Sequence, residues 1–199
     1  MIGAIALGAL LAYLLGSVPF ALLIGRIFYR VDIRTLGSGN VGATNVVRSL
    51  GKVPGIACFV LDFGKGWLPC FIALRLGWPQ WAVIALGVLA IVGHSRSIFL
   101  KFTGGKSVAT GVGVIMALAP LVGLAAFGVW ALVFFASRYV SLGSILAALS
   151  VPVWMLLTHQ PPAILAFGTA TAVYVIVRHR SNIQRLLKGT EPRMGAKQT

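Results

Sequence analysis

Six apolar stretches, residues 2–24, 53–74, 81–92, 121–136, 142–157 and 163–177, fill more than half of this chain and restrict its fold more than any motif does. Hydrophobic residues make up 58% of the 199 positions, and charged residues only 10%. A soluble domain of that length has too little interior to hide so much apolar surface. Such stretches suit the hydrocarbon of a bilayer, which a helix of about 20 apolar residues crosses. The expected fold is an all-α integral membrane protein.

Charge predicts its orientation. The net charge of +14 comes from 17 Lys and Arg against three acids, Asp32, Asp62 and Glu191. In a soluble chain that excess would point first to nucleic acid. Here the basic residues sit at the ends of apolar segments, where they act as orientation signals, and no nucleic-acid partner is expected. Anionic membrane lipid and phosphorylated substrates also suit such a surface. Seven crossings with the N-terminus outside and the C-terminus in the cytoplasm leave only Lys65 and Arg75 of the 17 off the cytoplasmic side. The reverse orientation would invert that bias. Several segments are shorter than a full crossing requires, so five crossings with a re-entrant pair around Pro120 is the alternative.

No tandem repeat or domain boundary breaks the pattern. A single transmembrane domain over 1–199 is expected, with a cytoplasmic tail at 178–199. The first apolar run lacks a basic segment before it and reads as a retained span rather than a removable signal. Cys58 and Cys70 share one apolar segment and read as buried free thiols. The few histidines and acids form no metal-ligand cluster by spacing. Pro19 and Pro69 should bend their helices. In LDFGKGW, Asp62 and Lys65 stand three apart and share a helix face. Ions at that depth are costly unless paired, so a structural ion pair is expected there in preference to catalysis.

The polar stretches are few. GSGNVGATNVVR, residues 37–48, places Gly37, Gly39 and Gly42 in a G-x-G-x-x-G pattern, but the strand that a dinucleotide fold needs is missing. Ala43 stands where a P-loop needs lysine. The physics of anion binding survives both failures: glycines let backbone amides converge on an anion. Ser38, Asn40, Thr44 and Asn45 add donors, and Arg48 offers a fork for a phosphate oxygen pair. In KFTGGKSVATG, residues 101–111, Gly104, Gly105 and Lys106 immediately precede an apolar helix whose start Ser107 marks. Amides and the positive helix end would meet the lysine there. In RHRSNIQRLLKGTE, residues 178–191, a helix continuing from the last span would turn His179 and Asn182 to one side. Arg180, Arg185 and Lys188 read as headgroup contacts. SRYVSLGS, residues 137–144, brings Ser141 and Ser144 to a helix mouth, where capping is the plain alternative. The His-x4-Asp pair of many glycerolipid acyltransferases is absent, as is a nucleophile–base–carboxylate triad.

These four motifs, in this order, resemble the bacterial acyl-phosphate:glycerol-3-phosphate acyltransferase family, and LDFGKG and the GHS at 93–95 look like further signatures of it. The family usually has glycine where Ser107 follows Gly-Gly-Lys. The resemblance implies a seven-helix membrane protein with its active site on the cytoplasmic side of the bacterial inner membrane. It implies transfer of a fatty acyl group from acyl phosphate to the 1-hydroxyl of glycerol 3-phosphate, giving lysophosphatidic acid. By the same resemblance Ser38 and Arg48 serve substrate binding or catalysis, Lys106 and Ser144 match further motif positions, and His179 and Asn182 bind glycerol phosphate. No cofactor is expected, and a monomer is.

Acyl phosphate is a mixed anhydride with a good leaving group, so no covalent enzyme intermediate is required. The protein must gather two anions at the membrane surface, which suits glycine-rich backbone, Arg48 and Lys106. A carrier for organic phosphates would also want a cationic cavity, but the chain shows no inverted repeat and keeps its polar motifs on one side.

Overall fold

Pro19 divides the first apolar run. In the computed structural model, which describes residues 1–195, helix α1 (Ile2–Ser17) stops before it and α2 (Phe20–Tyr29) starts after it, bent by 48°. Proline has no N–H to give and its ring disfavours a helical residue before it. Helices α3 (Ala43–Leu50), α4 (Lys52–Arg75), α5 (Gln80–Ser95), α6 (Val108–Leu118), α7 (Pro120–Ser137), α8 (Val140–Leu157), α9 (Pro162–Arg178) and α10 (Arg180–Leu187) follow. Among the described residues there is no strand beyond one isolated bridge, Ser97 to Thr103. The all-helical expectation holds. The tail expected at 178–199 is described through 195, and its last four residues lie outside the described residues.

Packing groups the chain into two units, Met1–Leu118 and a second beginning at Ala119. In the first, α1 lies against α5 and α4 against α6. Glycines make both contacts close: a Cβ on Gly16 would strike the Ala90 carbonyl, and one on Gly93 the Tyr13 carbonyl. Gly66 and Gly113 admit the Thr110 and Phe63 carbonyls in the same way. Small residues let membrane helices touch backbone to backbone, which replaces the hydrophobic drive that lipid cannot supply. Pro69 sits within α4, which continues through it.

The α2–α3 connection rests on Ile33, Val46, Ala21, Leu22 and Cys58. Asp32 organises its exposed part. The carboxylate accepts from Arg26 Nη2 at 2.9 Å, from Arg34 Nε at 2.9 Å and Nη2 at 2.6 Å, and from the Arg34 N–H at 3.0 Å. These bonds, those of Arg34 foremost, hold its carboxyl well below the usual carboxylate range.

In the second unit α8 packs on both α7 and α9. Phe127, Trp130 and Phe134 stack in sequence along α7, with centroids 5.7 and 5.1 Å apart. Gly143 of α8 fits against Trp130, and Gly168 of α9 against Met155. The α9–α10 pair bends by 58°.

Three helices, α4, α7 and α8, are long and apolar enough to cross a bilayer, or up to five spans if each bent pair counts as one. That is fewer than the seven crossings expected from the sequence. The difference lies in α5 and α6, of 16 and 11 residues. At 1.5 Å per residue, α6 extends only about 16 Å, roughly half of the hydrocarbon thickness.

Candidate active site

The glycine-rich loop is built around Asn45. Its amide nitrogen donates to the Ile33 and Leu36 carbonyls, both at 3.0 Å, and its Oδ1 accepts the Ser38 N–H at 2.9 Å. Asn45 is 1% exposed. The side chain read as a substrate donor is thus committed to shaping the loop. Gly37 and Gly39 have φ of +54° and +68°, the left-handed region that favours glycine. The Asn45 amide fills the place of a Gly37 side chain. Gly39 also turns its N–H back to the Leu36 carbonyl at 3.0 Å. What remains presented is Ser38, exposed at the turn, with Asn40, Gly42, Thr44 and Arg48 half-buried around α3.

The second motif forms a corner between α5 and α6. Gly104 and Gly105 are required by contact with His94: a Cβ on the former would meet the His94 carbonyl, and on the latter its Nε2. The Gly105 N–H donates to the His94 carbonyl at 3.1 Å, so this amide serves the fold. Lys106 is half-buried at the corner. Ser107 does not cap α6. Its hydroxyl donates across to the Ile91 carbonyl of α5 at 2.9 Å, and its φ is +60°. A left-handed residue with a Cβ costs about 1–2 kcal/mol, which explains a preference for glycine here; the buried hydrogen bond offsets the cost in this chain.

Asp62 and Lys65 form the expected ion pair, Nζ to Oδ1 at 2.7 Å, with both side chains buried. Lys65 also donates to the Val18 carbonyl at 2.9 Å. The break at Pro19 leaves carbonyls without helical donors; Lys65 takes one, and Ser97 Oγ takes the Ser17 carbonyl at 2.5 Å. Cys58 and Cys70 are buried and unbridged.

In the second unit, His179 sits at the α9–α10 break rather than on a continuous helix. Its Nδ1 lies 2.7 Å from the Val175 carbonyl. A carbonyl only accepts, so Nδ1 carries a proton and the neutral ring has its acceptor at Nε2. Ser144 Oγ donates to the Val140 carbonyl one turn earlier at 2.9 Å.

Glu191 is the residue that motif reading passed over. Its Oε1 accepts from Ser141 Oγ and Asn182 Nδ2, both at 2.7 Å, and its Oε2 from Arg185 Nε at 2.7 Å. One acid therefore ties the tail to α8 and α10 and orients Asn182. The available signal was its rarity, one of three acids, at the end of a motif. Burial pushes its carboxyl up, but the bonds from Ser141, Asn182 and Arg185 prevail and hold it below the usual value. A depressed folded-state pKa contributes stability that is present above the unfolded value of 4.5 and lost as pH falls below it. Glu191→Gln is expected to lower stability by about 1–3 kcal/mol at neutral pH. It should also flatten the decline in melting temperature between pH 5 and 3; an unchanged acid profile would refute this role.

The glycerol-3-phosphate acyltransferase family model matches residues 6–189. The chain is 47% identical to a glycerol-3-phosphate acyltransferase of Desulforamulus reducens, covering 94% of each chain. It is 48% identical to that of Acaryochloris marina, covering 94% of this chain and 91% of the relative. Among solved structures it resembles PlsY (YgiH), an integral membrane glycerol 3-phosphate acyltransferase, in its glycerol 3-phosphate form. That likeness has a TM-score of 0.92 and 42% identity, covering 96% of each chain. The lysophosphatidic acid form of PlsY matches with a TM-score of 0.89 and 41% identity, again covering 96% of each. A family model that spans residues 6–189, with relatives at 47% and 48% identity over 94% of the sequence, shows that the chain belongs to the glycerol-3-phosphate acyltransferase family.

Proposed function

We propose that the protein transfers a fatty acyl group from acyl phosphate to the sn-1 hydroxyl of glycerol 3-phosphate, releasing lysophosphatidic acid and phosphate. The observation that carries this reading is the likeness over 96% of the chain to PlsY in its glycerol 3-phosphate form. The hydroxyl oxygen attacks the acyl carbonyl carbon, the bond from that carbon to the phosphate oxygen breaks, and phosphate leaves with the electron pair. Arg48 and Lys106 neutralise phosphate charge, the leaving group's included, and Ser38 with the amides at Gly37, Gly42 and Thr44 lines the anion loop, which the turn at Gly39 shapes. Gly104 and Gly105 shape the corner that carries Lys106. In the second unit Ser144, His179 and Asn182 engage glycerol phosphate. Holding both reactants in register can account for about 7–11 kcal/mol of the barrier.

The hydroxyl proton passes to the phosphate of glycerol 3-phosphate, with His179 binding that substrate. A second reading, His179 as the base, is favoured by the tautomer that the Val175 carbonyl selects. His179→Gln decides between them. Retained turnover with a raised KM for glycerol phosphate is expected for binding. A drop of about 10²-fold or more, with loss of a titration near the histidine pKa, would make His179 the base.

This reading places the protein in the bacterial inner membrane as a monomer, N-terminus outside and C-terminus inside, with the reacting groups facing the cytoplasm. Seven apolar helices, α1 and α4 to α9, enter the bilayer, and the short α6 depends on protein around it. Purified protein in detergent, supplied with acyl phosphate and glycerol 3-phosphate, should release phosphate and form lysophosphatidate together. A carrier would release no phosphate beyond spontaneous hydrolysis.

A further inference from the structure

Beneath the corner that carries Lys106 lies a buried polar cluster that the reaction as described does not use. His94, at the end of α5, meets the corner twice. Its carbonyl accepts the Gly105 N–H at 3.1 Å, and its ring fills the space where a Gly105 side chain would stand. On the ring's other edge Nδ1 lies 3.6 Å from Asp62 Oδ1, the oxygen that Lys65 Nζ pairs at 2.7 Å. Lys65 then reaches the Val18 carbonyl at the α1–α2 break and lies 5.4 Å from the centre of the Phe20 ring. Cys58 is a further neighbour, its Sγ 3.6 Å from Asp62 Oδ2. His94, Asp62 and Lys65 are 8%, 2% and 3% exposed.

Helix packing does not by itself explain this cluster. The α1–α5 and α4–α6 contacts are made by glycines that let backbones touch. An anion, a cation and an imidazole buried together at this depth are costly. They do, however, join the α1–α2 break, α4, α5 and the corner into one hydrogen-bonded and ion-paired line. Two further ties, Ser107 Oγ to the Ile91 carbonyl and the Ser97 N–H to the Thr103 carbonyl at 3.1 Å, hold the corner on either side of the ring.

We infer that His94, braced by the Asp62–Lys65 pair, is a positioning residue that sets Gly104 and Gly105 so that Lys106 meets a substrate phosphate. The inference rests on the reading of Lys106 as a phosphate ligand. A shift of about 1 Å in a positioning element costs up to about 10²-fold in rate, and a planar ring wedged against a glycine leaves the corner little room to move.

The test compares His94→Ala, His94→Gln and Lys106→Ala with the unaltered protein, measuring kcat, the KM of each substrate and the melting temperature. His94→Ala is expected to raise the KM of one phosphorylated substrate by about tenfold or more, the consequence of a displaced ligand. The other KM should stay within about twofold, and His94→Gln, whose amide can lie against Gly105, should recover part of the loss. A merely structural histidine would lower the melting temperature and leave both KM values unchanged, which overturns the inference. Should His94→Ala not fold, Asp62→Asn/Lys65→Met removes both braces without leaving a lone charge and carries the same KM criterion. Full activity in Lys106→Ala would overturn the phosphate reading of the corner and this inference with it. Loss in Lys106→Ala beside normal KM values in the folded His94 variants overturns this inference alone.

Discussion

Arg48→Ala and Lys106→Ala proteins, inserted and folded, are each expected to make lysophosphatidate about 10²–10³-fold more slowly, the cost of removing one preorganised charge-stabilising group. Two phosphates must lie close together, and their mutual repulsion is large unless cations stand beside them. Arg48 extends from an α3 whose entry loop Asn45 holds in place, and Lys106 from a corner held by three bonds to α5 and its following turn. Both residues therefore stand on backbone that the fold itself holds in place. Arg48→Lys keeps the charge but loses the two-pronged geometry, and an intermediate rate is expected. Steady-state formation of lysophosphatidate by purified variants with native-like melting curves is the measurement. Unmodified speed in both alanine variants would end the anion-gathering account.

Asp62→Ala should be the most damaging single change to stability. It leaves the Lys65 ammonium 3% exposed inside the first unit with its anion gone. Breaking a buried pair on one side costs about 3–5 kcal/mol, far more than the net worth of the pair. Asp62→Asn/Lys65→Met, which removes both charges at similar volume, should recover most of the folded yield. Detergent melting curves of the three proteins give the comparison. Equal stability of Asp62→Ala and the double variant would show that the lone ammonium finds other partners.

The two predictions differ in how visible their residues were. Arg48 and Lys106 stood out because each follows glycines in a chain almost devoid of polar segments. The Asp62–Lys65 pair followed from a spacing of three and the cost of charge in lipid. Neither argument could reach His94, because its partners Asp62 and Gly105 are 32 and 11 residues away in sequence. Asn45 shows the opposite failure: a polar residue in a polar loop read as a ligand, yet its amide is occupied by three backbone groups of that loop. Glu191 was hidden for a similar reason, since its three donors come from α8 and α10.

From sequence alone follow the helical class, the membrane as solvent, a bend at Pro19, the Asp62–Lys65 pair and the family. Each depends on composition, on residues within a turn of one another, or on motif order, which a linear string records. Tertiary structure alone decided which glycines admit a neighbouring backbone, why position 107 favours glycine, which polar side chains are spent on the fold and which acid locks the tail. Those outcomes depend on what lies across a contact between distant segments, and hydrogen-bond partners become scarce only once packing has excluded water and lipid.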